Sequence, residues 1–144
     1  MRHSSDVKTI GVLLTVILLT VSVSGCAGTV DSRPSGETGV WQLQSEPSRD
    51  STSIDVVVSR FECASGVTGE VLNPLVRSER DRVVVTTPVA DNGTDDGECQ
   101  GNNGVGLNVS LGESLGERIL VDGACLDTDA RTTTLCDDPV RWRP

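Results

Sequence analysis

Ser53 to Glu62 reads SIDVVVSRFE, and this stretch decides the fold class. In an extended chain Ile54, Val56, Val58 and Arg60 share one face, while Val57, Ser59 and Phe61 take the other. The valines at 56, 57 and 58 carry branched Cβ atoms that suit a pleated strand better than a helix. Working outward, Arg82 to Val89 (RVVVTTPV) is a second strand, with Pro88 marking an edge or its end because proline donates no ladder bond. Val105 to Leu111 (VGLNVSL) alternates strictly, Val105, Leu107, Val109 and Leu111 against Gly106, Asn108 and Ser110, the pattern of a half-buried strand.

The weaker elements fill the gaps between these three. Val67 to Leu72 (VTGEVL) reads as a short strand stopped by Asn73-Pro74, and Arg77 to Asp81 as a charged turn. After a turn at residues 112–116, Glu117 to Val121 (ERILV) returns as a strand that Asp122-Gly123 breaks. Near the end Val140 and Trp142 share a face, and Trp142 is expected to close the core. No helix longer than a turn is supported, and no internal repeat is visible. The expected fold is therefore all-β: a single small antiparallel sandwich or open barrel of roughly five to seven strands.

Upstream of Ser53 the composition changes. From Ala27 to about Thr52, Gly, Ser, Thr, Pro and charges dominate, so the segment buries too little apolar surface to offset its ordering entropy and reads as a flexible tether. One island interrupts it, Val40 to Gln44 (VWQLQ), which reads as a short edge strand docking Trp41 and Leu43.

Ahead of the tether lies Ile10 to Cys26, IGVLLTVILLTVSVSGC, behind a short n-region in which Arg2 and Lys8 outweigh Asp6. The apolar part is 14 residues long, Ile10 to Val23, against about 20 needed to span a bilayer as a helix. Its close, Val23-Ser24-Gly25-Cys26, resembles the lipobox of bacterial lipoproteins: a branched aliphatic residue, two small residues and a cysteine. The resemblance implies removal of residues 1–25 and a thioether-linked lipid on Cys26, anchoring the protein at the outer face of the cytoplasmic membrane. A single acyl chain binds only marginally, whereas two anchor stably. The rival readings are a secretory signal cleaved near Gly25 or Ala27 and an uncleaved signal anchor. The resulting division is 1–25 signal, 26–52 lipidated cysteine and tether, and 53–144 β domain.

Composition excludes more than it suggests. His3 and Lys8 are the only histidine and lysine, both inside the signal, and there is no tyrosine. Residues 26–144 therefore lack the groups for Ser-His-Asp or Cys-His catalysis, for Schiff-base chemistry and for histidine-bearing zinc sites. Carboxylate chemistry or an oxygen-ligated metal is what remains, and a paired-carboxylate glycosidase lacks aromatic platforms, with one Phe and two Trp in the whole chain. No enzyme activity and no cofactor are expected. Removing Arg2, Lys8 and Asp6 from 12 basic and 21 acidic residues leaves a formal charge of −10, which repels nucleic acid and anionic headgroups.

Of the five cysteines, lipidation of Cys26 leaves Cys63, Cys99, Cys125 and Cys136. An even remainder in a small exported domain implies two disulfides, with three pairings open. Cys125 and Cys136 share one turn-rich segment, whereas Cys63 follows one strand and Cys99 precedes another, which favours Cys63 with Cys99 and Cys125 with Cys136. A four-cysteine zinc site is the rival, and no C-x-x-C spacing supports it.

Two acidic loops are the remaining candidate sites. Asp91, Asp95, Asp96 and Glu98 offer oxygen ligands among glycines, as calcium favours, without matching the EF-hand spacing. Asp127, Asp129, Asp137 and Asp138 form a second cluster. A solvated hairpin loop is the commoner outcome for both. Asn92-Gly93-Thr94 and Asn108-Val109-Ser110 match the glycosylation sequon and are read as chance in a bacterial lipoprotein.

Leu111 to Gly123, LGESLGERILVDG, resembles the L-x-x-P-L-G-D-R-x-x-x-D-G stretch of small exported proteins of high-GC Gram-positive bacteria, differing at Ser114 and Glu117. Across about Ile54 to Gly123 the resemblance implies a small β domain with a bridge between strands, and it brings no activity. Read physically, Gly112 and Gly116 permit a tight connection, Leu115 plugs the sheet end, and Arg118 pairs with an acidic neighbour. The functional expectation is a membrane-anchored, non-catalytic module that binds an envelope protein or surface ligand or serves structurally. The alternative is a calcium- or small-ligand-binding lipoprotein using the acidic loops.

Overall fold

The computed structural model describes residues 36–93 and 97–144. The lipobox, with Val23, Ser24, Gly25 and Cys26, and the candidate ligands Asp95 and Asp96 lie outside the described residues. Seven strands form two sheets among those residues. One contains β1 (Gly39–Leu43), β2 (Ser53–Arg60) and β5 (Val105–Ser110) in the order β1-β2-β5. The other contains β3 (Leu75–Ser78), β4 (Arg82–Thr86), β6 (Ile119–Asp122) and β7 (Val140–Trp142) in the order β3-β4-β6-β7. A single-turn helix α1 (Ala124–Asp127) and two 3₁₀ turns, Asp129–Thr132 and Thr134–Cys136, fill the segment before β7.

The protein is mainly β, its two sheets share one core, and no barrel closes. β2 shows why: its burial alternates, with Ile54, Val56, Val58 and Arg60 buried and Asp55, Val57 and Ser59 turned outward. Ile54, Val56 and Val58 join Val83, Val85 and Leu120 of the other sheet in one core cluster, with Trp41, Val109, Leu115 and Trp142. Leu115 comes from a loop and is fully buried, held there by Gly112 (φ +77°) and Gly116 (φ +60°), which take the left-handed turn that side chains disfavour. Arg118 ties that loop down, pairing with Glu113 at 2.7 Å and donating from Nε to the Leu115 carbonyl at 3.0 Å.

Four expectations need correction. Pairing is not antiparallel throughout: β4 and β6 run parallel. The chain leaves β4, forms β5 in the other sheet, and returns along the same direction, a crossover long enough for a parallel neighbour. The third strand is Leu75–Ser78, not Val67 to Leu72, which contributes only a bridge from Val71 to Val89. Pro74 precedes the first strand residue, where its missing N–H costs nothing. Of the charged turn read at Arg77 to Asp81, Arg77 and Ser78 belong to β3, while Glu79 to Asp81 do form the turn to β4, with Glu79 accepting from Arg77 at 2.9 Å and from Arg82 at 2.6 Å.

The tether expected through residue 52 is the last correction, because the β body already includes the chain from Glu37. Glu37 and Val89 exchange two backbone hydrogen bonds, and Leu115 and Gly116 donate to the carbonyls of Ser51 and Arg49 at 3.0 and 2.8 Å. A polar segment gains these bonds through its main chain, for which side-chain composition gives no signal.

β1 is the link between the sheets. One edge pairs with β2; the other meets side chains of β6 and of the residue just after β4, Thr87 Oγ1 donating to Gly39 O at 3.2 Å and Asp122 Oδ2 accepting from Trp41 N at 3.1 Å. Trp41 is 1 % exposed and its indole Nε1 donates to Val85 O at 2.9 Å. Gly39 is required by closeness: a Cβ there would lie 2.2 Å from Thr87 O.

Candidate functional site

The outward face of an antiparallel sheet is ordinarily polar. Here the outward face of β1 and β2 carries a groove of about 540 Å³, within the range of small-ligand sites. β1 supplies Val40 and Gln42 to it, and β2 supplies Val57 and Ser59. Val57 and Ser59 are only half-buried, consistent with an open cleft above them. One wall is the segment after β2, Phe61 and Glu62, continuing into the Cys63–Cys99 disulfide. The opposite wall is Leu135, which is 46 % exposed at the surface of the C-terminal segment.

Each wall is held by a covalent bridge. Cys63–Cys99 fixes the loop 97–104 against the end of β2, and Gly97 is packed so closely that a Cβ would lie 2.5 Å from Cys63 O. Cys125–Cys136 ties α1 to the second 3₁₀ turn, and both cysteines join Val40, Ala124 and Ala130 in a second small core with Phe61 against it. The pairing is the one favoured by the cysteine positions.

Polar groups of the groove are unevenly satisfied. Asn102 Nδ2 donates to Arg60 O at 3.0 Å and Glu62 O at 2.7 Å, so both amide protons point at carbonyls and the orientation of the amide is fixed. That leaves Asn102 Oδ1 buried with no donor among the described residues. Glu62 Oε1 accepts from Thr38 N at 3.4 Å, while Glu62 Oε2 is buried and likewise without a donor. The neighbouring cation does not serve them: the buried Arg60 guanidinium pairs with Glu37 and donates to the carbonyls of Thr68 and Ala90.

A second depression of about 460 Å³ lies between Leu43–Glu46 and β7, where it is shallow. Its cations are engaged, Arg141 with Asp122 at 3.0 Å and Arg143 with Asp138 at 3.2 Å. Arg141 also lies over the Trp41 ring, 6.0 Å from the centroid. Burial pushes the Asp122 carboxyl above its ordinary pKa, opposed by the Trp41 N–H and by Arg141.

Among the described residues the acidic side chains are not gathered into a ligand cage. Asp91 Oδ1 accepts from Gly93 N at 2.7 Å in a local turn, and Glu98 is fixed through its backbone to Ser65. Asp138 accepts from Val140 N and pairs with Arg143, which together hold its carboxyl below the usual range. Among the described residues no group of three or more His, Cys, Asp or Glu side chains is placed to hold a metal ion. Glu62, Asn102 and Leu135 carried no signal in the sequence, since they meet only through the fold; Phe61, the lone phenylalanine, was the one visible hint.

No family model matches this chain, and no curated protein or solved structure matches it either. The groove has an apolar floor and is lined by the half-buried Glu62 and Asn102, each with one oxygen closed off from solvent, and residues 26–144 contain no histidine, lysine or tyrosine.

Proposed function

We propose that this chain is an extracytoplasmic lipoprotein, anchored at the outer face of the cytoplasmic membrane through lipid on Cys26, whose β domain is a non-catalytic binding module. The observation that carries the binding reading is the groove over β1 and β2. An apolar floor of Val40, Val57 and Phe61 on the outward face of a sheet, with a few polar groups at its wall, is the composition of a ligand site rather than of a solvated face. Two disulfides support an oxidising compartment, in keeping with export.

A fragment screen of the full chain, followed by amide shifts in two-dimensional NMR, tests the groove. Shifts clustered at Gln42, Val57, Phe61 and Asn102 are expected; hits that map elsewhere, or none, overturn the reading. Anchoring is tested separately by metabolic labelling with an alkyne fatty acid. Label and membrane association should both vanish in Cys26→Ala, and an unlabelled wild-type protein would remove the lipid assignment.

A further inference from the structure

We propose that β5 is the contact between two copies of this chain, pairing antiparallel with β5 of a second copy so that the sheet β1-β2-β5 continues across a two-fold axis. The contact is separate from the groove and does not depend on it. Among the described residues β5 has one strand neighbour, β2, and lies at the end of its sheet. Its register with β2 runs without interruption from Val105 to Ser110, and Leu111 N donates to Thr52 O at 2.8 Å in the same ladder. Hydrogen bonding alternates along an antiparallel strand, so the main-chain groups of Val105, Leu107 and Val109 serve β2, and those of Gly106, Asn108 and Ser110 point to the free edge.

A free edge is a template for another strand, and folded proteins ordinarily blunt it by shortness, charge, proline or a bulge. The other sheet ends of this protein are blunted. Thr87 and Asp122 close the outer edge of β1. β3 is 4 residues long, follows Pro74 and carries Arg77. β7 is 3 residues long, carries Arg141 and pairs with β6 in an irregular register. β5 has 6 residues, VGLNVS, with no charge, no proline and no bulge.

The chemistry of the strand selects a second copy as its occupant. Residues opposite each other in antiparallel strands share a face, so pairing centred on Asn108 sets Gly106, Asn108 and Ser110 against the same three residues and forms about six main-chain hydrogen bonds. On the inward face it sets Leu107 against Val109 of the second copy. Val105 and Leu107 are only half-buried within one copy, whereas Val109 is fully buried, and an apolar continuation of that face covers them. Charge is compatible with the pairing. Asn108 Nδ2 donates to Asp55 Oδ1 at 2.7 Å on the outward face, so the two amides stand between the two carboxylates. The carboxylates are then about 14 Å apart, three strand spacings, beyond the screening length of about 8 Å. One strand pair is a small contact, so the dimer is expected to be reversible.

Hydrogen exchange of the full chain, followed by NMR over a range of protein concentrations, tests the contact. In a monomer the amides of Gly106, Asn108 and Ser110 exchange freely while those of Val105, Leu107 and Val109 are protected. Pairing should slow the first three by at least about tenfold as concentration rises, in step with a doubling of mass in sedimentation velocity. Asn108→Pro removes an N–H that only the second copy uses, which an edge strand tolerates, and should leave a folded monomer at every concentration. Free exchange of the three amides at the highest concentration, or a dimer undiminished in Asn108→Pro, overturns the proposal. Protection that is independent of concentration in a monomeric chain assigns the edge to a segment of the same chain and also overturns it. Should Asn108→Pro fail to fold, Ser110→Pro removes the corresponding N–H at the end of the strand, and a dimer undiminished in it overturns the proposal equally.

Discussion

Asp122 Oδ2 accepts a hydrogen bond from the backbone N–H of Trp41 at 3.1 Å, across 81 residues of chain. The same carboxylate takes Arg141 Nη2 at 3.0 Å, and its other oxygen caps Ala124 N at 3.0 Å. One fully buried carboxylate thus closes the open edge of β1, anchors β7 and starts α1. Truncating it leaves Arg141 and a strand N–H without their acceptor. Asp122→Ala should lose about 3–5 kcal/mol of unfolding free energy, read from urea denaturation. A loss below about 1 kcal/mol would show that water replaces the carboxylate without strain.

Stability should also report the titration of Asp122. Its folded pKa is raised above the ordinary 3.8, so the contribution it makes is fully present below that value and is lost as pH rises through the folded pKa. Compared with Asp122→Asn, the wild-type protein should hold its largest advantage at about pH 3 and lose it towards about pH 7. Glu79, Glu113 and Asp138 act oppositely, each held below its ordinary pKa by hydrogen bonds, chiefly to Arg82, Arg118 and Val140 N–H respectively. Their contribution is present above the ordinary value and lost as pH falls. Denaturation of Asp122→Asn across this range isolates the buried group.

Gly39→Ala should be severe for its size. Its Cβ would meet Thr87 O at 2.2 Å, with Val58 Cγ1 at 3.0 Å, and the backbone oxygen has no rotamer by which to withdraw. A loss of about 1–3 kcal/mol is expected. Gly106→Ala on β5 is the matched control, because nothing lies within 4 Å of its Cβ position. It should be neutral or gain a few tenths of a kcal/mol; equal costs at both sites would remove the steric argument.

The two disulfides should differ in worth. Cys63–Cys99 closes a separation of 36 residues and Cys125–Cys136 one of 11, so loop entropy assigns about 4 and about 3 kcal/mol. Paired serine substitutions, compared by melting, test the order. The first pair should also loosen the groove wall and weaken fragment binding, whereas the reverse order of stability would point to strain or residual structure in the unfolded chain.

Leu115→Ala should cost about 2–5 kcal/mol, as for a core leucine on a strand, although it lies in a loop. It is fully buried within the shared core. A surface-like loss below about 0.5 kcal/mol would place it outside the core.

How much of this was legible can be traced residue by residue. The branched runs at 54–58 and 83–85 and the alternation at 105–110 mark strands because side-chain period and β-branching are properties of the chain itself. Gly112, Leu115 and Arg118 were readable for the same reason, as a local turn that plugs a sheet end. β3 was missed because its charged residues brace a hairpin whose partner strand defines it, and β1's membership is fixed by main-chain bonds that leave no mark on composition. The parallel pairing of β4 and β6 depends on β5 crossing to the other sheet, which no local pattern encodes.

By itself, then, the sequence determined the β class, the inward faces of the main strands and the absence of imidazole and amine chemistry beyond residue 25, all of them consequences of residue type and spacing. Tertiary structure alone decided that Asp122 would serve Trp41 and Arg141, and that Glu62, Asn102, Phe61 and Leu135 would surround one groove. Hydrogen bonds and cavities join residues distant in the chain, and their partners exist only once the sheets have closed on each other.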